Sequence, residues 1–278
     1  AQAPAPKMIP PPGIAVPDPV RAELSAGLAA LSRDVDTLRT RGKANDALLA
    51  RLPDVLIFEK AVRRALEENE FYKPGEFETA KRLLAQGRER AAALKEGRTP
   101  WLEQAGLVAL GYVSEIDGSV QPYGLVVPPA WKAGEKTPRR LDFFLHGRGE
   151  TLTELAFIDQ RQKSAGEFTP EGAFVLHPYG RFCNANHLAG EVDLFEALED
   201  VKRRYAVDDD RLVIRGFSMG GAGQQGRSHA SCFRPAAAVL LPETCYRAGS
   251  SCRCAASRTY RAISSWASPA LPIRSAFQ

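Results

Sequence analysis

Arg211-Leu212-Val213-Ile214-Arg215-Gly216-Phe217-Ser218-Met219-Gly220-Gly221 decides how this chain folds. Its first five residues are apolar at the centre and β-branched, as a short buried strand requires. The strand runs directly into a Gly-x-Ser-x-Gly turn. A serine carried on a sharp turn between a strand and a helix needs small residues two positions before and after it, because larger side chains would collide across the turn. Gly216 and Gly220 meet that demand, and Gly221-Ala222-Gly223 lets a helix start pack closely. Ser218 is therefore the candidate nucleophile.

Upstream lie the elements such a strand needs as neighbours. Arg140-Leu141-Asp142-Phe143-Phe144-Leu145 is an apolar run fit for a buried strand, and it leads into His146-Gly147-Arg148-Gly149. A glycine-rich loop after a strand can turn backbone N–H groups toward a developing oxyanion. The N–H of Arg148 and that of Met219, the residue after the serine, are the candidate oxyanion donors. Ala173-Phe174-Val175-Leu176 is a further strand, followed by a loop read as carrying His177, Asn184, Asn186 and His187. Residues 193–205 carry Leu194, Leu198 and Val201 at helical spacing. Farther upstream, 107–113 and 121–127 flank Asp117-Gly118, which reads as a turn between two strands. Apolar strands alternating with helices predict an α/β domain with a largely parallel sheet.

The run from Asp117-Gly118-Ser119 through His146-Gly147-Arg148-Gly149-Glu150-Thr151 to Gly216-Phe217-Ser218-Met219-Gly220-Gly221 resembles the α/β-hydrolase superfamily. Within it the chain looks like the bacterial prolyl-oligopeptidase-like hydrolases and the secreted esterases related to feruloyl and acetyl-xylan esterases. Asp208-Asp209-Asp210-Arg211 is similar to the Asp-x-x-Arg turn common there. The resemblance covers residues 105–223. It implies a mostly parallel sheet with flanking helices and hydrolysis of a small-molecule carboxylic ester through an acyl-enzyme on Ser218, with no cofactor. A serine peptidase or an acyltransferase is the alternative within the same fold. His146 precedes the serine, whereas in this fold the base follows it. A structural role within its loop is expected for His146, and His146 and His177 are also candidates for the pocket lining.

Beyond Ser218 the pattern of this superfamily breaks. The remaining 60 residues hold no Asp, one Glu (Glu243) and one His (His229). His229 is the candidate base by elimination, yet it follows the serine by only eleven residues, where the helix leaving the elbow would turn it away. Four of the five Cys and seven Arg fall in the same tail. Cys252-Arg253-Cys254 lacks the paired spacing of a zinc site, and no metal is expected. This composition is what an out-of-frame reading of a GC-rich gene encodes, with the change near Gly223 or Gln224. Residues 224–278 are therefore expected not to complete the fold, which makes a catalytically impaired hydrolase the rival from another functional class.

The tail also carries the charge. The whole chain is at +4, but the first 218 residues sum to −2 and the remainder to +6. No basic stripe interleaved with aromatics runs over a fold, which argues against nucleic-acid binding. No run of 18 or more apolar residues is present, so no membrane span is expected. Residues 1–17 read as a Pro-rich leader whose small opening residues suit the mature end left by signal-peptide cleavage, so export to the periplasm or beyond is expected. From Asp18-Pro19 a helix begins, with Val20, Leu24, Leu28, Leu31, Val35 and Leu38 on one face. Further helices are expected over 53–70 and 76–94. Together they form a helical extension over 18–100, ahead of a hydrolase core over 101–223. Intrachain packing is the expected use of the apolar stripe, with a dimer interface the alternative.

Overall fold

The computed structural model describes residues 10–42, 45–184, 187–221 and 237–238. Helix α1 spans Asp18–Gly42 and buries Leu24, Leu31, Val35 and Leu38 on the face set by their spacing. A single turn, α2 (Asp46–Leu49), is capped by the Asn45 side chain, which accepts the Leu48 N–H at 3.1 Å. Helix α3 (Pro53–Glu67) starts on a proline, and α4 (Gly75–Lys95) follows it. The three long helices pack on one another, and α3 also lies on the sheet.

A hairpin opens the sheet. Strands β1 (Gly106–Val113) and β2 (Val120–Val127) pair antiparallel around the Asp117-Gly118 turn. Gly118 holds φ at 70°, and Asp117 accepts the Ser119 N–H at 3.0 Å. Next come β3 (Arg139–Leu145), α5 (Glu154–Lys163), β4 (Phe174–Pro178), α6 (Ala189–Arg204), β5 (Val207–Gly216) and the two-residue β6 (Ala237–Ala238). The strand order is β1-β2-β4-β3-β5-β6. The segment β4-β3-β5-β6 is parallel, as expected, whereas β2 joins β4 antiparallel, so the sheet is mixed. Strand β4 is buried along its whole length, as a central strand covered on both faces must be.

Two expectations are corrected. Asp208–Arg211 is not a turn ahead of the strand. It lies within β5, where the register slips between the Arg139↔Val207 and Leu141↔Leu212 pairs. The helix expected over 193–205 starts earlier, at Ala189.

The helices are tied to the sheet by a buried polar network. Asp54 on α3 accepts from Trp101 Nε1 at 2.9 Å and from the Gly111 N–H of β1 at 3.1 Å. Arg204, at the end of α6, reaches Asp54 at 2.6 Å and the Gly111 carbonyl at 3.1 Å. Asp200 pairs with the same guanidinium at 2.8 Å and accepts the Tyr123 hydroxyl of β2 at 2.7 Å. The Asp54 and Arg204 side chains are essentially inaccessible, and pairing between opposite charges is what makes such burial tolerable.

Candidate active site

Strand β5 delivers Ser218 with φ at 51°, a left-handed conformation that a residue bearing a Cβ rarely adopts. The flanking glycines are required by space. A Cβ on Gly216 would come within 2.7 Å of the Gly221 nitrogen and overlap the carbonyl of Gly220. A Cβ on Gly220 would come within 2.6 Å of the Leu145 carbonyl carbon at the end of β3. Two backbone hydrogen bonds fix the turn, Phe217 N–H to Leu145 O at 3.1 Å and Gly220 N–H to Phe217 O at 2.9 Å. Ser218 is exposed at the tip, and 219–221 begin a helix.

The loop after β3 packs against this turn, since a Cβ on Gly147 would meet the Phe217 ring at 2.8 Å. His146 staples the loop. Its Nδ1 lies 2.8 Å from the Gly147 carbonyl, and its Nε2 lies 2.9 Å from the Tyr179 carbonyl just beyond β4. Each ring nitrogen thus faces a backbone carbonyl oxygen. The Arg148 guanidinium forms an ion pair with Glu150 at 3.2 Å, and its side chain is 52% exposed. Met219 is half-buried at the first position after the serine.

His177 is not on a loop. It lies in β4, buried, with Nδ1 2.9 Å from Arg161 Nη1. Burial first, and then the Arg161 charge, push its pKa down to about 3, so the ring is neutral at physiological pH. His146, Gly147, His177 and Phe217 together line a cavity of about 370 Å³ beside the serine turn. Asn184 packs instead on Gly190 at the start of α6, and His187 is exposed. His229 and Asn186 lie outside the described residues, as does the tail apart from 237–238.

Two supports of the site were invisible to sequence reasoning. Arg215, immediately before the turn, donates to buried Asp142 on β3 at 2.8 Å, while its guanidinium lies 3.7 Å from the centre of the Phe168 ring. Arg181, on the loop after β4, donates to Asp193 at 3.0 Å, to Asp117 at 2.6 Å and to Ser114 at 2.8 Å. That fork ties the hairpin, the loop and α6 together, and it holds the Asp117 carboxyl far below the usual carboxylate range. Among the described residues, no group of three His, Cys, Asp or Glu side chains converges as a metal site. No helix among them is long and apolar enough to cross a membrane.

A mixed sheet flanked by helices, with a strained serine turn at the end of β5 and a glycine-rich loop against it, is the α/β-hydrolase fold. Among solved structures the chain is similar to a thermostable esterase, at 21% identity and a TM-score of 0.29, over 42% of this chain and 36% of that one. It is also similar to a ferulic acid esterase, at 21% identity and a TM-score of 0.33, over 47% of this chain and 58% of the other. An S-formylglutathione hydrolase from Staphylococcus aureus is similar at 17% identity and a TM-score of 0.35, over 51% of this chain and 61% of that one. The chain thus spans between about a third and three-fifths of the length of these structures. No family model matches the chain, and no curated protein does.

Proposed function

We propose that this chain is a serine hydrolase of small carboxylic esters acting through an acyl-enzyme on Ser218. The observation that carries this reading is the left-handed φ of 51° at an exposed serine, held between two glycines that no larger residue can replace. Strain of this kind persists only where the surroundings over-determine it, and here it presents Oγ to a bound carbonyl.

In the proposed reaction a base takes the Ser218 proton as Oγ bonds to the ester carbonyl carbon. The carbonyl π electrons move to oxygen, and the N–H groups of Arg148 and Met219 hold that charge. Collapse breaks the bond to the alcohol oxygen, which leaves with a proton, and water then releases the acid from Ser218. The carbonyl contacts of His146, with its place before the serine, and the burial of His177 argue against both as base, leaving His229 as the candidate from the sequence.

A fluorophosphonate probe followed by peptide mass spectrometry tests the assignment. The label is expected on the Ser218 peptide, and Ser218→Ala should abolish both labelling and turnover of a p-nitrophenyl ester. Full turnover by Ser218→Ala would refute the reading. A second reading, a catalytically impaired hydrolase, is favoured by the engagement of His146 and His177 in other bonds. It requires that the unaltered chain neither labels nor turns over ester above the Ser218→Ala level.

A further inference from the structure

Arg161 is a buried cation without a counter-charge among the described residues. It sits near the end of α5 and is only 8% exposed. Its stem crosses β2 at Gly124, where a Cβ would come within 2.6 Å of Arg161 Cγ. Gly124 is the register partner of His177 across the β2–β4 pair, so the bare backbone there leaves the guanidinium room to lie on the imidazole. From the other side Gly166, with φ at 87°, closes over the pair. A Cβ there would lie 3.2 Å from His177 Cε1 and 3.7 Å from Arg161 Nη1. Glycines on two separate segments thus make the seat for one arginine.

Among the described residues Arg161 has no carboxylate partner, its Nε has no hydrogen-bond partner, and the imidazole it touches is neutral. Asp159 on the same helix is engaged with Arg82 and Lys163. Burial alone depresses the Arg161 pKa, with no acid opposing it. An unpaired buried cation opposes folding, and a group kept at that disadvantage points to a ligand that pairs with it. Arg161 lines the same cavity as Gly147 and Phe217, which flank the candidate oxyanion loop and nucleophile, and Glu167 at its rim is exposed.

We propose that Arg161 receives the carboxylate of an anionic ester in this cavity, so that the substrate class is esters bearing a carboxylate near the scissile bond. As substrate recognition the proposal rests on the serine-hydrolase reading; as anion binding it stands without it. Two matched ester pairs test it in the full chain: 4-nitrophenyl hemisuccinate against 4-nitrophenyl butyrate, and 4-acetoxybenzoate against phenyl acetate. They place the carboxylate on the acyl side and the alcohol side respectively. Arg161→Met should lower kcat/KM for the charged member of at least one pair roughly 10- to 100-fold more than for its neutral partner. Succinate should raise the melting midpoint of the wild type and not that of Arg161→Met, while dimethyl succinate should raise neither.

Because the substitution removes an uncompensated charge, its own midpoint should equal or exceed that of the wild type, whereas a merely structural arginine would lower it. Equal losses on charged and neutral esters, or an undiminished succinate shift in Arg161→Met, would overturn the proposal. If the variant does not fold, the wild type decides alone. A preference for the charged esters together with a succinate shift supports the seat, and the absence of both overturns it. If no ester is turned over, the hydrolase reading falls, while a succinate shift lost in Arg161→Met still upholds the seat.

Discussion

Ser218 and its neighbours concentrate the local cost of the site. A left-handed non-glycine residue is less favourable by roughly 1–2 kcal/mol, and the turn has no slack elsewhere. Gly216→Ala should therefore lower the melting midpoint and abolish fluorophosphonate labelling of Ser218, because the added methyl meets backbone that cannot give. Gly75→Ala, where nothing lies within 4 Å, should leave both unchanged or slightly raise the midpoint. His177 sets a different expectation. The unfolded imidazole titrates near pH ~6.5, whereas the native ring stays neutral down to about 3. Between those values the unfolded chain binds a proton that the native chain does not. The contribution is full above about pH 6.5 and is lost toward pH 3, at up to ~1.4 kcal/mol per pH unit. Urea midpoints from neutral pH downward should fall more steeply in the wild type than in His177→Gln, which keeps an acceptor for Arg161. Parallel slopes would show that His177 is not the group responsible. The serine turn was legible in the sequence because its requirements span only 216–220. The Arg161–His177, Asp117–Arg181 and Asp142–Arg215 contacts were not, since their partners lie 16, 64 and 73 residues apart and no local pattern links them.

Elements follow the same logic of local against distant information. Helices α1, α3 and α4 and strands β1 to β5 were readable from periodicity, since each presents one apolar face or a short buried run. Helix α5 is not legible from periodicity. Its buried Leu155, Phe157, Ile158 and Arg161 do not form one clean stripe, although Thr153 signals its start by accepting the Ala156 N–H at 3.1 Å. What fastens α3 to β1 and α6 was also beyond sequence reasoning, because Asp54 and Arg204 are 150 residues apart. Asp54→Ala should cost about 3–5 kcal/mol, since it strands a buried guanidinium whose other acid partner is Asp200. Asp54→Asn, whose single amide oxygen can still accept at one of the two carboxylate positions, should cost less. Urea unfolding with unchanged m-values would show that the loss lies in the native contacts. A cost for Asp54→Ala below about 1 kcal/mol would mean that water replaces the carboxylate in this network.

At the scale of the whole molecule, the hydrophobic core of the described residues runs on across residue 100. The buried residues run from Val16 and Leu24 through Leu83 and Ile57 to Leu110, Leu176 and Ile214 as one cluster. Helix α1 packs on α3 and α4, and α3 packs on β1 and β2, so apolar contact is continuous from the helices into the sheet. The charged network around Asp54 crosses the same boundary and adds bonds that break only if both sides part. Helices and sheet should therefore open as one cooperative unit. Leu31→Ala on α1 tests this because Leu31 is fully buried and lies far in the chain from β4. The substitution should cost roughly 2–5 kcal/mol through lost burial and the cavity left behind. In a single unit, native-state hydrogen exchange would show the most protected amides of β4 losing the same free energy of opening as those of α1. If α1 loses protection while β4 keeps its own, the helices are a separately folding module docked on the sheet. In that case Asp54 would act as the pin of an interface rather than as part of one core.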